Sequence, residues 1–235
     1  MRSPSAWVSV EGRNGVGKTH LARQVAAQLG PLCVPLVELP DTPPEVLPGR
    51  IIAALHSDGD LFLRTGVPRT ETLLLMALQV HRHEHLGEVN AGQVVLEDRG
   101  PHTVALYQAA LLTPDGDDEH ALQLADTILA TIGAWRPLPH LTVLLRDDPN
   151  RCLRRFEQRI GRQADAGERA LMDRADRLYE RFAAAHPERI LLLDRSQSDE
   201  LSLVAAIAEA CRTLIDVRTT DTDTAAETKT EASHG

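Results

Sequence analysis

Gly12-Arg13-Asn14-Gly15-Val16-Gly17-Lys18-Thr19 is the stretch on which the reading of this chain turns. It satisfies G-x-x-x-x-G-K-[ST] and follows a short apolar run, Ala6-Trp7-Val8-Ser9-Val10, that predicts a buried strand. A loop of this kind suits phosphate because its glycines bring backbone N–H groups close to phosphate oxygens. The helix behind it adds the positive end of its dipole. Lys18 is then placed to reach β- and γ-phosphates, and the Thr19 hydroxyl to hold Mg²⁺.

Outward from the loop, helical and extended patterns alternate. Leu21, Val25, Ala26 and Leu29 recur at helical spacing until Gly30-Pro31, and residues 32–39 read as a second strand running into a proline-rich loop over 41–49. A helix is expected over 50–55 and a longer one over 70–86, capped by Thr70, with Leu73, Leu74, Ala77, Leu78 and His81 on its apolar face. Val94-Val95-Leu96 is a short strand ended by Glu97-Asp98-Arg99-Gly100. Helices follow over 104–112 and 121–132, a strand over 141–145, an arginine-rich helix over 150–159, a break over 161–167 and a helix over 169–185. A last strand over 190–193 and a last helix over 200–215 complete the pattern. Such alternation implies an α/β fold, a parallel sheet covered on both faces, with ligands at the carboxyl ends of its strands.

Bulk properties narrow the function. A chain of 235 residues with 43% hydrophobic content supports one domain, 1–215. Residues 216–235, rich in Thr, Asp, Ala and Glu, read as a disordered tail. A net charge of −9 argues against a general nucleic-acid binder, while leaving room for a compact anion held at a few basic points. Cys33, Cys152 and Cys211 form neither a C-x-x-C nor an even set, so buried, inert thiols are expected. No apolar run reaches the length of a membrane span, and the expectation is a cytoplasmic protein.

Several side chains stand where chemistry would need them. Asp98 ends an apolar strand, the position from which phosphate-loop enzymes hold Mg²⁺, and Arg99 supplies a fixed fork for a phosphate. Taken alone, the pair could equally be a surface ion pair at a strand end. Among Arg151, Arg154, Arg155, Arg159 and Arg162, the two nearest the break, Arg159 and Arg162, read as lid residues able to neutralise charge on a moving phosphoryl group. Arg151 and Arg154 read as a solvated face. His81 and His85 share a helix face with no further ligand evident, which favours an ordinary helix surface over a metal site. Glu38 either accepts a proton from a substrate hydroxyl or caps the proline loop.

Together these motifs resemble the thymidylate kinase family of nucleoside monophosphate kinases, over residues 6–215. Val10-Glu11 through Thr19 is similar to its E-G-x-D/E-G-x-G-K-[ST]. Asp98-Arg99, Thr103 and Tyr107-Gln108 keep the spacing of its D-R-[YH]-x-x-S-x-x-A-Y-Q. Pro139 to Val143, Asp148-Pro149 with Arg155 and Arg159, and Asp194-Arg195-Ser196-Gln197-Ser198 resemble its later strand, lid helix and adenine loop. The resemblance implies a P-loop three-layer sandwich with a five-stranded parallel sheet of order 2-3-1-4-5. It also implies ATP and Mg²⁺ as donor and cofactor, a nucleotide monophosphate as acceptor, and a homodimer. Gly12, Asn14, Gly15, Val16, Gly17, Lys18, Thr19, Ser196 and Gln197 would hold ATP, and Thr19 and Asp98 the metal. Lys18, Asp98, Arg99, Arg159 and Arg162 would serve catalysis. Glu38, Arg50, Met76, Gln79, Arg99, Thr103 and Tyr107 would face the acceptor.

Departures from the family's pattern gather on the acceptor side: Asn14 replaces an acid, and residues 37–43 lack the arginine of D-R-E-P-G-G-T. Met76 and Val80 stand for the stacking phenylalanine and base-reading arginine of F-A-x-D-R, and Gly100 for Tyr or His. Two other readings stay open: a kinase for a nucleoside or other small hydroxyl compound using Glu38 as base, and a nucleotide-binding protein with impaired chemistry.

Overall fold

The structure, a computed structural model, describes residues 6–36, 46–56, 60, 62–90 and 92–231, with side chains up to residue 220. Glu38 and the rest of 37–45 lie outside the described residues.

β1 (Ala6–Gly12) is the middle strand, buried at all seven positions. It pairs in parallel with β3 (Val94–Asp98) on one side and β4 (Leu141–Arg146) on the other. β2 (Cys33–Leu36) and β5 (Ile190–Asp194) complete a five-stranded sheet of order β2-β3-β1-β4-β5. Burial on both faces explains why Val94-Val95-Leu96 and the strand before the phosphate loop read as unbroken apolar runs.

On one face, α1 (Lys18–Leu29) and α8 (Glu200–Glu231) pack Leu21, Val25, Leu29, Leu203 and Ile207 against Val8, Val10 and Val143. On the other lie α2 (Leu47–Leu55), α3 (Pro68–Glu84), α4 (Pro101–Leu112), α5 (Asp118–Gly133), α6 (Pro149–Ile160) and α7 (Ala166–Ala185). That face is filled by Leu78, Leu106, Ile132, Phe156, Met172 and Leu178. Cys33, Cys152 and Cys211 are buried and free, and burial pushes their thiols up to about 11, 11 and 12, which keeps them protonated and inert. No described helix is long and apolar enough to cross a membrane.

Two helices differ from expectation. α2 starts at Leu47 rather than Arg50, because Pro48 suits a first turn whose N–H groups have no helical partner. α3 starts at Pro68, so Thr70 lies inside its first turn and is not its cap. The carboxylate of Glu71 instead takes the amides of Thr65 and Val67 at the helix entrance. The inner face of α3 is Glu71, Thr72, Leu75, Leu78 and Gln79, whereas Leu73 is 66% exposed. α8 stays helical to Glu231, taking in part of 216–235, and among its residues up to 220 the last one buried is Ile215.

Candidate active site

The phosphate loop is the turn between β1 and α1. Gly15 has φ +82°, and a Cβ there would run into the backbone carbonyl of Cys152 on α6, so only glycine lets the loop pass. Lys18 bridges the loop from inside, its Nζ donating to the carbonyls of Gly12 (2.7 Å) and Arg13 (2.8 Å). No side chain caps α1, and first-turn amides without a side-chain acceptor are what a phosphate would require. Arg13 turns away to clasp α7, bonding Asp173 at 2.7 Å and Asp176 at 3.1 Å.

Beside the loop, β3 ends at Asp98, opposite Val10, two residues before β1 ends at Gly12. Asp98 is buried there. Arg99, next in the chain, has φ +59°, a left-handed conformation that costs a non-glycine residue about 1 kcal/mol or more. Its N–H donates to Val10 O (3.3 Å), its carbonyl accepts from Arg82 Nη1 (3.1 Å), and its Nη2 donates to Asn14 Oδ1 in the loop. Held this way, the guanidinium points at the phosphate loop rather than into solvent. Gly100 follows where a larger residue was the family's norm; a Cβ there would press on Ser9 and on the carboxylates of Glu11 and Glu97.

Glu11 is the site residue that sequence reasoning missed. Fully buried, it accepts from Gly100 N (2.8 Å), the Thr103 hydroxyl and Tyr179 OH (2.9 Å). Burial raises its pKa to about 7, although hydrogen bonds from Thr103 and Tyr179 and the charge of Lys18 pull the other way. Glu97, on β3, forms a bidentate pair with buried Arg136 (2.7 and 2.9 Å), which also lies 4.6 Å over the Trp7 ring.

The structure sorts the other expected site residues. Thr19 opens α1 beside Lys18, and Val16 sits buried in the loop. Tyr107 is buried next to the loop; burial pushes its hydroxyl up to about 12, tempered by the charge of Arg99. Gln79 faces inward but is engaged by Arg136 Nη1 at 3.2 Å. Met76 is not brought to the site. It lines, with Val80, a groove of about 410 Å³ on the outer surface between α2, α3 and α5. The cation that α3 sends to the site is Arg82, which donates to both Arg99 O and Leu36 O. Arg50 lies exposed on α2.

On the lid side, Arg159 is exposed, its guanidinium 5.6 Å from the Phe156 ring centroid. Arg162 is bound through two 2.7 Å hydrogen bonds to Glu168 at the start of α7, where Asp165 and Glu168 form a capping box. In the turn after β5, Ser196 bonds Asp194 and Gln197 N donates to Asp194 O, which shapes the turn itself. Between them Arg195 reaches back to Val16 O and lies against Gly17, joining this turn to the phosphate loop.

No family model matches the chain. Two curated relatives, both thymidylate kinases, do. That of Levilactobacillus brevis is 27% identical over 215 residues, covering 86% of this chain and 92% of the relative. That of Halalkalibacterium halodurans is 29% identical over 213 residues, covering 86% and 93%. The chain is thus similar, at low identity but along nearly the whole of both relatives, to thymidylate kinases.

Proposed function

We propose that the chain is an ATP-dependent kinase that phosphorylates a nucleoside monophosphate, dTMP or a related nucleotide, in the cytoplasm. The observation that carries this reading is Arg99: a left-handed arginine, pinned by Val10 and Arg82, whose guanidinium is held on Asn14 of the phosphate loop. Backbone strain at a strand end is retained where it aims a group, and here it aims a cation at the place where donor and acceptor phosphates would meet.

An acceptor phosphate oxygen attacks the γ-phosphorus, the bond to the β,γ-bridging oxygen breaks, and ADP leaves with that oxygen. Lys18 and the loop amides hold the donor phosphates, Arg99 holds the acceptor phosphate, and Arg159 is the lid cation for the group in transit. Thr19 and Asp98 offer a hydroxyl and a carboxylate, the oxygen donors that Mg²⁺ prefers. When bound there, Mg²⁺ supplies neutralisation of the developing charge.

The same reading includes a homodimer through the outer groove of α3. Leu47, Leu73 and Trp135 are 60%, 66% and 71% exposed around it, an apolar cluster that a second copy could cover. A twofold pairing would bury the same patch on both copies. Sedimentation at micromolar concentration tests this, and a monomer throughout refutes it.

The activity is tested by coupled ADP-release assays with ATP and a panel of nucleoside monophosphates. Turnover with one of them is expected. ATP binding by calorimetry without turnover on any of them overturns the proposal.

A further inference from the structure

The last turn of α3 carries His81-Arg82-His83-Glu84-His85. The helix separates these side chains cleanly. Arg82 and His83 turn inward, Arg82 toward β3 and His83 to within 5.7 Å of the Trp7 ring. His81 and His85 stack on the outside with ring centroids 3.7 Å apart, and Glu84 brings its carboxylate to the same face. One ligand atom from each of His81, Glu84 and His85 lies within 4.8 Å of the other two.

Spacing of i, i+3 and i+4 is what puts three groups on one helical face. Two imidazole nitrogens and one carboxylate oxygen suit zinc-class ions, whereas Mg²⁺ and Ca²⁺ take oxygen sets. Bond lengths of about 2.0–2.2 Å require ligand atoms roughly 3.4 Å apart in a tetrahedral site. Glu84 and His85 are exposed and His81 is half-buried, so side-chain rotation alone can close that gap.

We propose that His81, Glu84 and His85 form a binding site for a divalent transition-metal ion of the zinc class, with water completing the coordination. An ion there clasps the final turn of α3, the turn from which Arg82 supports the carbonyls of Arg99 and Leu36. The inference does not depend on which acceptor the protein uses. His81 and Glu84 stand at the edge of the outer groove and His85 beyond it.

Full-length, metal-free protein titrated with ZnCl₂ by calorimetry, and with CoCl₂ by visible absorption, tests the site. One ion per chain at micromolar affinity is expected, with a rise in melting temperature on Zn²⁺. His81→Ala and His85→Ala should each weaken binding about tenfold or more, while His83→Ala and His20→Ala leave it unchanged. Because the ligands are at the surface, metal-free melting and circular dichroism should match the parent for every ligand variant, and His85→Gln serves as a milder second variant. Absence of saturable binding below about 1 mM, or parental affinity in the His81→Ala/His85→Ala double variant, overturns the proposal.

Discussion

Glu11 should make this protein lose stability as pH rises through neutrality, and Glu11→Gln should remove that loss. The carboxyl has an ordinary value of 4.5 in the unfolded chain and about 7 when buried beneath Gly100, Thr103 and Tyr179. Below 4.5 it is protonated in both states and costs nothing. Between 4.5 and 7 the unfolded chain ionises while the folded chain stays protonated, so unfolding gains progressively. Above 7 the full difference is spent, on the order of 3 kcal/mol at about 1.4 kcal/mol per pH unit. Between pH 5 and pH 8 the parent should therefore lose about 2.5 kcal/mol through this group alone. Glutamine has nearly the same shape, its oxygen can keep the Gly100 amide, and the Thr103 and Tyr179 hydroxyls can turn to accept from its amide. Urea denaturation of both proteins at pH 5, 6, 7 and 8 isolates the effect, because every other titrating group is common to the pair and cancels in the difference. Glu11→Gln should gain on the parent by that amount across the range. A difference that stays flat with pH would show that Glu11 does not titrate in this window and would refute the account of its burial.

Other positions give sharp outcomes. Gly15→Ala forces a Cβ into the Cys152 carbonyl at φ +82°, and should abolish ATP binding in calorimetry while lowering stability by about 1 kcal/mol or more. Arg99→Ala should leave ATP affinity near the parent's but cut kcat/KM for the acceptor by about 100-fold or more, measured in the coupled assay. Arg136→Met removes the bidentate partner of the buried Glu97 carboxylate, leaving it Arg82 at 3.9 Å, and should cost about 3 kcal/mol in denaturant unfolding, with part recovered in the double variant Arg136→Met/Glu97→Gln.

What the sequence disclosed was mainly local. The apolar strand and the glycine loop announce themselves over a few residues, and so did the strand ending at Asp98, whereas the one cap read from the sequence, Thr70, is not a cap. Sheet order came from the resemblance to a family, because pattern alone does not say which strand sits in the middle. The orientation of α3 was hidden for a physical reason: residues 73–78 are six apolar side chains in succession, which leave no period to read. Packing against α4 and the Gln79–Arg136 contact then set the inner face, carrying Met76 out to the groove and Arg82 in to the site. Glu11, Arg13, Arg136 and Tyr179 find their partners far away in sequence, 168 residues for Tyr179 and Glu11, and nothing in their immediate neighbours foretells that.

α7 gives a reason to divide the roles of the two arginines proposed for a lid, Arg159 and Arg162. The helix meets the site through Asp173 and Asp176, which hold Arg13, and through Tyr179, which holds Glu11; its first turn is closed by Glu168 on Arg162. Two acids so near a phosphate loop would repel its ligand, and Arg13 is committed to offsetting them. Cations for the transferred group must then come from elsewhere, from Lys18 and Arg99 on the sheet side and from a lid arginine. Arg162 makes a two-pronged bond that lowers the pKa of Glu168 and completes the start of α7, so its charge is committed as well. Arg159 lies one turn earlier, exposed, with its guanidinium 5.6 Å from the Phe156 ring centroid, and the proposed lid role rests on that position. Arg159→Ala should depress kcat by a larger factor than Arg162→Ala does, and Arg162→Ala should lower the melting temperature slightly with kcat near the parent's. A larger fall in kcat for Arg162→Ala than for Arg159→Ala would reverse the assignment, since it would mean that Arg162 leaves Glu168 when the lid closes.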